Sequence, residues 1–293
     1  MSKRLGQNFL TSKAIARRIA EAADIKLDDV ILEIGPGKGI LTEAILAKNP
    51  KKLIAVEKDK KLVDFLQENF SVNKNLEIVE GDILEDLNSK IPFDPELRVE
   101  GQITNSKQTP KSKFKIPNAN YKIVANIPYY ITSRLLRLIF SQKNLPEKIV
   151  LMLQREVAER ICAKPPRMNM LALSVQVYGR PKITFRVSGT FFRPRPKVDS
   201  AVIVIDNISR DFFQNFRLAM SEDGGGAEKN FFDLLHAGFR HKRKMLLKNL
   251  ANYTPGVHKG KWVVWFGKCG INEKARAENL ALENWGCLIK NIF

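Results

Sequence analysis

Cysteine and histidine are scarce in this sequence, with three of each among 293 residues. Cys162, Cys269 and Cys287 are scattered along the chain and form no C-x-x-C pair. This spacing argues against both a disulfide framework and a zinc site. The histidines have no convincing metal-ligand partners in the sequence, so we predict that the protein binds no metal.

Long apolar stretches are also missing. No run approaches the ~18 apolar residues that a membrane-spanning helix needs. Residues 1–6 lack the apolar segment of a secretory signal. These absences argue against membrane and secreted proteins, and we expect a cytoplasmic protein with no membrane partner.

Acidic residues are the scarcer charged class. The sequence has 49 Lys and Arg residues against 31 Asp and Glu residues, a formal net charge of +18. Such a surplus favours a polyanionic partner, with nucleic acid as the first candidate. A merely basic protein is the plainer alternative. The hydrophobic content of 44% is ordinary for a globular protein, and the length suggests about two domains.

Short apolar runs alternate with helical patterns over the first two-thirds of the chain. The predicted strands are 30–33, 53–56, 76–79, 122–125, 148–153, 171–178 and 200–205. A first helix is predicted to begin near Ser12. Further helices are predicted over 61–70, 133–140 and 154–162. This alternation predicts an α/β fold, a mostly parallel sheet with helices on both faces.

The pattern changes near residue 207, where β-branched runs stop and helical patterns take over. We therefore predict a sheet domain at 1–207 and a small helical domain at 208–293. Segment 93–120 is polar and rich in Lys and Pro, and we predict an extra loop or hairpin there. The glycine-rich segment 222–226 is predicted to be a flexible loop.

A glycine-rich turn at residues 33–39, EIGPGKG, follows the first predicted strand and leads into a helix. Glycine lacks a Cβ, so the backbone can turn sharply and approach a ligand at the helix N-terminus. The pattern is neither G-x-G-x-x-G nor a phosphate-binding P-loop. Its acidic first residue looks like motif I of S-adenosylmethionine-dependent methyltransferases, and a turn without a ligand is the alternative.

Polar residues close the other predicted strands on the same edge of the sheet, where open α/β folds bind ligands. Glu57 lies roughly 20 residues past the glycine turn, the position expected to bind ribose hydroxyls. Asp82 is placed to accept a hydrogen bond from an adenine amino group. Each could instead be a solvated acid at a strand end.

The fourth predicted strand ends in Asn126-Ile127-Pro128-Tyr129, which matches the motif IV of methyltransferases acting on amino nitrogens. The adenine amino group is a poor nucleophile because its lone pair is delocalised into the ring. The Asn126 side-chain oxygen and a backbone carbonyl of Ile127 or Pro128 can accept its N–H bonds and aim the lone pair at a methyl group. Pro128 fixes the backbone, and Tyr129 offers a ring for base stacking.

Two basic segments are candidates for RNA contact. A proline-rich loop at 191–200 combines Phe192 with Arg193, Arg195 and Lys197, which could hold a splayed-out base and its phosphates. A solvated turn whose phenylalanine lies in the core is the alternative.

In the second domain, Arg240, Lys244 and Lys248 recur at every fourth residue. They lie opposite an apolar stripe formed by Phe232, Leu235, Phe239, Leu246 and Leu250. This pattern predicts a basic helix face for RNA phosphates. An ordinary solvated face explains the same spacing.

Together these motifs resemble those of the ribosomal small-subunit RNA adenine N6,N6-dimethyltransferases over nearly the whole chain. The matching stretches are 5–10, 33–37, 56–57, 81–82, 126–129, 152–160, 192–202 and 239–250. Segments 93–120 and 224–226 depart from the family pattern as additions, and Arg167-Met168-Asn169-Met170 replaces a usual glycine-bearing sequence.

The resemblance implies a Rossmann-like methyltransferase fold and contacts of Asn8, Leu10, Gly35, Glu57, Asp82 and Asn126 with S-adenosylmethionine. It also implies that Tyr129 and Phe192 bracket the target adenine. The implied reaction is dimethylation of two adjacent adenosines in the 3′-terminal hairpin of 16S rRNA within the assembling 30S subunit. A 23S rRNA methyltransferase of the macrolide-resistance type and a non-catalytic assembly factor are the alternatives. Nothing suggests an obligate partner chain, so we predict a monomer.

Overall fold

The protein is described from a computed structural model that covers residues 8–88, 120–128, 131–215, 225–251, 253 and 257–292. Most of the predicted loop or hairpin at 93–120 lies outside these residues. The same is true of Tyr129 and of residues 222–224. Gly225 and Gly226, which were predicted to belong to a loop, form the start of a helix.

The chain divides into two compact units. One contains the described residues up to Arg155 together with Lys182–Asp206. The other contains Glu156–Pro181 and the described residues from Asn207 onwards. The sequence placed 156–181 in the first domain, whereas these residues group with the later helices.

The elements are named here in chain order. The first are β1 (Phe9–Leu10), α1 (Lys13–Ala22), β2 (Val30–Ile34), α2 (Ile40–Leu46), β3 (Lys52–Glu57), α3 (Lys60–Asn69), β4 (Leu76–Glu80), α4 (Ile83–Asn88), β5 (Tyr121–Asn126) and α5 (Thr132–Phe140). Next come β6 (Lys148–Gln154), α6 (Arg155–Ile161), α7 (Met170–Gln176), β7 (Arg180–Val187), a 3-10 turn (Gly189–Phe191), β8 (Phe192–Arg193) and β9 (Ser200–Asp206). The last are α8 (Asp211–Gln214), α9 (Gly225–Phe239), α10 (Leu246–Leu250), α11 (Lys259–Lys268), a 3-10 turn (Ala277–Asn279) and α12 (Leu282–Ile292).

Seven strands form one sheet in the order β4-β3-β2-β5-β6-β9-β7, and β1 pairs with β8 separately. β2 is parallel to β3 and β5, β3 to β4, and β5 to β6, whereas β9 is antiparallel to β6. From β2 the chain continues to β3 on one side, and β5 lies on the other side. The carboxyl ends of β2 and β5 therefore form the switch point at which open α/β sheets bind ligands.

The central strands are continuous apolar runs because parallel strands of this kind are covered on both faces. Ile31, Leu53, Val124 and Val150 are each 0% exposed. Burial of such a side chain stabilises the fold by about 1.5–3 kcal/mol. These side chains fix the strands whose ends form the candidate site.

The predicted strands between residues 30 and 153 are confirmed, as is the strand at 200–205. The predicted strand over 171–178 is wrong, because this run forms the helix α7. Its start is capped by Asn169, whose side-chain oxygen accepts a hydrogen bond from Ala172 N. The strand lies at Arg180–Val187 instead, at the edge of the sheet, where Pro181 is tolerated.

The second unit is helical around two fully buried indoles, Trp262 and Trp285. A disulfide joins Cys269 at the end of α11 to Cys287 in α12, with the two Cα atoms 5.6 Å apart. The prediction against disulfides is wrong for this pair, because helix packing brings together two residues that no short motif links. Across the part of the chain described, no helix has the length and apolar character to cross a membrane.

Candidate active site at the carboxyl edge of the sheet

The glycine turn after β2 has a backbone that only glycine adopts readily. Gly35, Gly37 and Gly39 have φ values of 67°, 60° and 80°. Gly35 N donates to Val56 O at 2.9 Å, which ties the turn to β3. A Cβ on Gly39 would lie 2.5 Å from the Phe70 ring, so side chains around the turn leave no room there.

Glu57 closes β3 directly beside this turn, and its carboxylate is held by three backbone N–H groups. Oε2 accepts from Gly37 N at 3.1 Å, and Oε1 accepts from Lys58 N and Asp59 N at 2.9 Å each. The residue is only 4% exposed. These bonds hold the Glu57 carboxylate against the glycine turn, and its role as a ribose-binding acid stays a prediction.

Asp82 follows β4 on the same edge. Its Oδ1 accepts from Leu84 N at 3.0 Å, and its Oδ2 accepts from Lys58 Nζ at 2.6 Å. Lys58 therefore connects the ends of β3 and β4. The structure brings both predicted acids to one edge, with an added cation that the sequence did not indicate.

Glu33 in β2 is a site residue whose state the sequence did not reveal. It is 0% exposed, and its Oε2 accepts from the Thr42 hydroxyl at 2.8 Å. Oε1 has no hydrogen-bond partner among the described residues. Burial raises the pKa of Glu33 to about 8, Thr42 opposes this shift, and the nearby charge of Glu57 adds to it. The sequence signal that could have indicated this buried state is the presence of an acidic residue within an otherwise apolar strand.

The end of β5 faces the glycine turn across the switch point. Asn126 is half-buried. Apart from the chain neighbours of Gly35, the Asn126 carbonyl oxygen is the only described atom within 4 Å of where a Cβ on Gly35 would lie, at 4.0 Å. Ile127 N donates to Met152 O at 3.3 Å, and Pro128 O accepts from Ile131 N at 3.2 Å. The space above Gly35 is therefore open and bounded by Asn126.

The N-terminal arm lies against the same turn. β1 pairs antiparallel with β8, with Leu10 opposite Phe192. Thr11 strengthens this pairing, because its N–H and its hydroxyl both donate to Phe191 O, at 2.8 and 2.9 Å. The Phe9 ring is 3.2 Å from where a Cβ on Gly37 would lie. The pairing therefore holds Phe9 against the glycine turn, between Asn8 and Leu10, which the resemblance assigns to the cofactor.

The two phenylalanines of the proline-rich loop differ sharply in exposure. Phe192 is 1% exposed and belongs to the hydrophobic core with Leu10, whereas Phe191 is 39% exposed. Phe192 thus presents no open ring face to a base in this structure. The predicted phosphate-binding cations of this loop, Arg193, Arg195 and Lys197, are all exposed.

The predicted continuous basic helix at 239–250 is wrong. α9 ends at Phe239, and α10 begins at Leu246 after an extended Met245. The buried Asn249 amide stabilises the break, because its Nδ2 donates to Gly238 O at 2.6 Å and His241 O at 3.2 Å.

Arg240, Lys244 and Lys248 nevertheless converge on one cavity of about 390 Å³, here called the α9–α10 cavity. His241, Arg243 and Asn249 also line it. Within the ranges that the structure describes, no group of His, Cys, Asp and Glu side chains could hold a metal ion.

A mostly parallel sheet with an acid-flanked glycine turn after β2 and an Asn-x-Pro segment after β5 defines a Rossmann-like methyltransferase. The model of the family "ribosomal RNA adenine dimethylase" matches residues 1–292. The chain belongs to this family and is an rRNA adenine dimethyltransferase by descent.

Named relatives agree with this assignment. "Ribosomal RNA small subunit methyltransferase A" of Dehalococcoides mccartyi strain BAV1 is 38% identical over 97% of this chain and 85% of its own. The protein of the same name from Fusobacterium nucleatum is also 38% identical, over 98% of this chain and 96% of its own.

Solved structures support the fold. A dimethyladenosine transferase from Plasmodium falciparum has a TM-score of 0.72 at 24% identity, over 96% of this chain and 95% of its own. The 23S rRNA methyltransferase ErmE has a TM-score of 0.71 at 21% identity, over 97% of this chain and 99% of its own. At such low identity the likeness concerns architecture alone.

Proposed function

We propose that this protein transfers methyl groups from S-adenosylmethionine to the N6 atoms of two adjacent adenosines in the 3′-terminal hairpin of 16S rRNA. The observation that supports this most is the position of Asn126, at the end of β5, beside the open space above Gly35. Relatives at 38% identity named as small-subunit rRNA methyltransferases favour this substrate over 23S rRNA.

The residues around that space fit S-adenosylmethionine. Glu57 lies against the glycine turn and has acceptor oxygens suited to ribose hydroxyls, and Asp82 lies on the same edge. Glu33 adds a buried carboxyl oxygen without a hydrogen-bond partner among the described residues, on a group whose raised pKa keeps it protonated at neutral pH. The carboxylates of Glu57 and Asp82 suit the ammonium and sulfonium charges of the cofactor, which supplies an electrophilic methyl group. Asn8, Leu10 and Gly35 complete the proposed cofactor contacts.

The protein's own contribution to the chemistry is positioning. The Asn126 side-chain oxygen and the carbonyl of Ile127 or Pro128 accept hydrogen bonds from the adenine amino group. The lone pair then points at the methyl carbon for in-line attack. The new N–C bond would form as the S–C bond of the donor breaks, and the methylated amine would then give its proton to water, so the reaction requires no general base with a strongly shifted pKa.

The target base is proposed to stack between Tyr129 and Phe192. Tyr129 lies outside the described residues, and Phe192 must gain exposed surface before it can contact a base. Arg193, Arg195 and Lys197 on the same loop are exposed and are proposed to bind the flanking phosphates. Arg240, Lys244 and Lys248 of the second unit are proposed to bind further RNA phosphates.

The proposed substrate is the 16S rRNA of an assembling 30S subunit, and the proposed compartment is the cytoplasm, where bacterial ribosomes are assembled. The protein is proposed to act as a monomer that needs no metal. The test is transfer of labelled methyl groups to immature 30S particles, with 50S particles and free 23S rRNA beside them. We expect dimethyladenosine in the 30S sample alone.

Asn126→Ala is expected to lower the rate of methyl transfer about 100-fold or more, because the amine loses its aiming acceptor. RNA binding should stay near the wild-type level. Asn69→Ala is the matched control, since Asn69 is exposed on α3 and its amide donates to Phe65 O in its own helix.

Two outcomes of the labelling experiment would contradict the proposed substrate or activity. Label in 23S rRNA would favour the resistance-type enzyme, and 30S binding without label would favour an assembly factor.

A further inference from the structure

Lys58 joins the two acids of the candidate cofactor site. Its backbone N–H donates to Glu57 Oε1 at 2.9 Å, and its side-chain Nζ donates to Asp82 Oδ2 at 2.6 Å. Glu57 closes β3, Asp82 follows β4, and these two strands are parallel neighbours in the sheet. One residue therefore contacts both carboxylates that are proposed to bind the ribose and the base of S-adenosylmethionine.

The backbone of Lys58 is held in place at the start of α3. The next residue, Asp59, caps this helix, because its Oδ1 accepts a hydrogen bond from Lys61 N at 3.0 Å. Asp59 N also donates to the same Glu57 oxygen as Lys58 N does. The side chain of Lys58 therefore starts from a fixed point on the edge of the sheet.

Asp82 is held from two sides. It caps the first turn of α4, because its Oδ1 accepts from Leu84 N at 3.0 Å and its carbonyl oxygen accepts from Glu85 N and Asp86 N at 2.9 Å each. On the other side, Lys58 Nζ binds Oδ2. An ionised carboxylate has about four acceptor positions, and these two side-chain bonds use two of them. The contacts described here therefore leave Asp82 able to accept a hydrogen bond from a ligand.

The ion pair between Lys58 and Asp82 is unevenly exposed. The Lys58 side chain is 59% exposed, whereas that of Asp82 is 18% exposed. A pair whose ammonium group lies largely in water adds little to the stability of a fold. Its main consequence is geometric, because a carboxylate anchored at both oxygens is restrained from rotating, whereas one anchored by Leu84 N alone is not.

We propose that Lys58 is a positioning residue that orients the Asp82 carboxylate toward the 6-amino group of the cofactor's adenine, and thereby selects a 6-aminopurine. This inference rests on the proposed function and adds one residue to its cofactor site. An ionised carboxylate offers only acceptors, so it binds the amino group of adenine and repels the 6-oxo group of hypoxanthine. Lys58 acts through Asp82 and needs no contact of its own with the cofactor.

Calorimetry with the full-length protein tests this without any methyl transfer. The probes are S-adenosylhomocysteine and S-inosylhomocysteine, whose base is hypoxanthine in place of adenine. We expect the wild type to prefer the adenine compound by about 100-fold or more. Lys58→Met should reduce this preference by about three- to fivefold. Lys58→Arg keeps a cation that can reach Asp82 and should restore the preference. An unchanged or larger preference in Lys58→Met would overturn the proposal.

Lys52→Met is the matched control. Lys52 Nζ pairs with Glu77 Oε2 at 2.6 Å, so this lysine links the same two strands, and both side chains are exposed. Lys52 begins β3, whereas Lys58 follows its carboxyl end. We expect Lys52→Met to keep the wild-type preference. An equal loss in both variants would show that the pairing of β3 with β4 sets the preference, and Lys58 would then have no positioning role.

A double-mutant cycle separates positioning through Asp82 from a direct contact between Lys58 and the cofactor. The readout is the dissociation constant of S-adenosylhomocysteine for Lys58→Met, Asp82→Asn and the two combined. Lys58→Met should weaken binding about three- to fivefold in the wild type, but less than about 1.5-fold where Asp82 is already replaced. Equal weakening in both backgrounds would mean that Lys58 acts without Asp82, contrary to the proposal.

Failure of the proposed function has a different signature in the same experiment. If the wild type binds neither compound, the proposed use of S-adenosylmethionine and the role of Lys58 fail together. If the wild type prefers the adenine compound and Lys58→Met prefers it equally, the cofactor site stands and only Lys58 is removed from it.

Discussion

Two regions of this protein concentrate charge, and they hold it in opposite ways. At the carboxyl edge of the sheet, the Glu57 carboxylate is 4% exposed and accepts hydrogen bonds from three backbone N–H groups, and the fully buried Glu33 beside it keeps its proton at neutral pH. Around the α9–α10 cavity, the cations are exposed and make no ion pair with any residue described. One region fixes its charges by burial, and the other leaves them in water.

This difference matches the ligands proposed for the two regions. A small cationic methyl donor is best recognised by enclosed acids, because electrostatic interactions are stronger where water is excluded. An RNA backbone is a long polyanion, and it binds exposed cations by releasing its counterions. We therefore expect charges in the first region to affect folding, and charges in the second to affect binding with little effect on folding.

The largest expected effect concerns the pH dependence of stability in Glu33→Gln. Burial raises the pKa of Glu33 from 4.5 to about 8, so the folded protein retains a proton that the unfolded chain has lost. The contribution of this bound proton to the free energy of unfolding is complete below pH 4.5 and is lost as the pH rises through 8. At 1.36 kcal/mol per pKa unit, this loss of unfolding free energy has an upper bound of about 5 kcal/mol.

Chemical denaturation of the wild type and Glu33→Gln at pH 5 and pH 8.5 checks this. The wild type should lose stability relative to the variant at the higher pH. Glu43→Gln is the control, because Glu43 is exposed and pairs with Lys13 at the surface. Parallel pH curves for the wild type and Glu33→Gln would contradict the buried, protonated carboxyl.

Phe192→Ala should lower the free energy of unfolding by about 3–5 kcal/mol, because it leaves a cavity in the core. The ring of the neighbouring Phe191 is exposed, so Phe191→Ala should change the free energy of unfolding by less than about 0.5 kcal/mol. Urea denaturation measures both. A similar small loss for the two variants would mean that Phe192 is accessible in solution.

Gly39→Ala should be destabilising by about 2–4 kcal/mol. A Cβ there meets the Phe70 ring at 2.5 Å, and φ is 80°. Gly267→Ala is the contrasting change, since Gly267 lies in α11 with nothing within 4 Å of a Cβ. The free energy of unfolding of that variant, measured by thermal unfolding, should rise by about 0.5–1 kcal/mol. A stable Gly39→Ala protein would mean that the turn relaxes easily.

The smallest expected effects come from two variants that each remove one charge, one variant in each region. Glu57→Gln replaces one acceptor oxygen by an NH₂ group facing backbone donors, and should lower stability by about 1–3 kcal/mol. Arg243→Gln removes an exposed cation that has no ion-pair partner among the described residues, and should change stability by no more than about 0.5 kcal/mol. Denaturation at matched ionic strength tests both. A larger loss in Arg243→Gln would show that the cavity cations also support the fold.

The sheet was predictable because its central strands are buried on both faces and are therefore continuous apolar runs. The acids at the strand ends were predictable because parallel strands share one edge. The run at 171–178 was misread because Val175 and Val177 favour strands in general, whereas here they lie in or beside a buried helix.

The remaining features depend on tertiary contacts. Asn249 has the sequence appearance of an ordinary helical residue, yet its amide stabilises the break between α9 and α10. Cys269 and Cys287 meet only when α11 packs on α12. Phe192 is buried through a strand pairing with Leu10 that no local pattern reveals.

The pairing of β1 with β8 also sets an order of events during synthesis. Thr11 bonds to Phe191, 180 residues further along the chain. At about 5–20 residues per second, the ribosome needs roughly 10–40 s to make the segment between them. During that time the arm has no partner strand, and the glycine turn lacks the ring of Phe9. A nascent chain therefore completes the proposed methyl-donor pocket only after nearly all of the sheet has been translated.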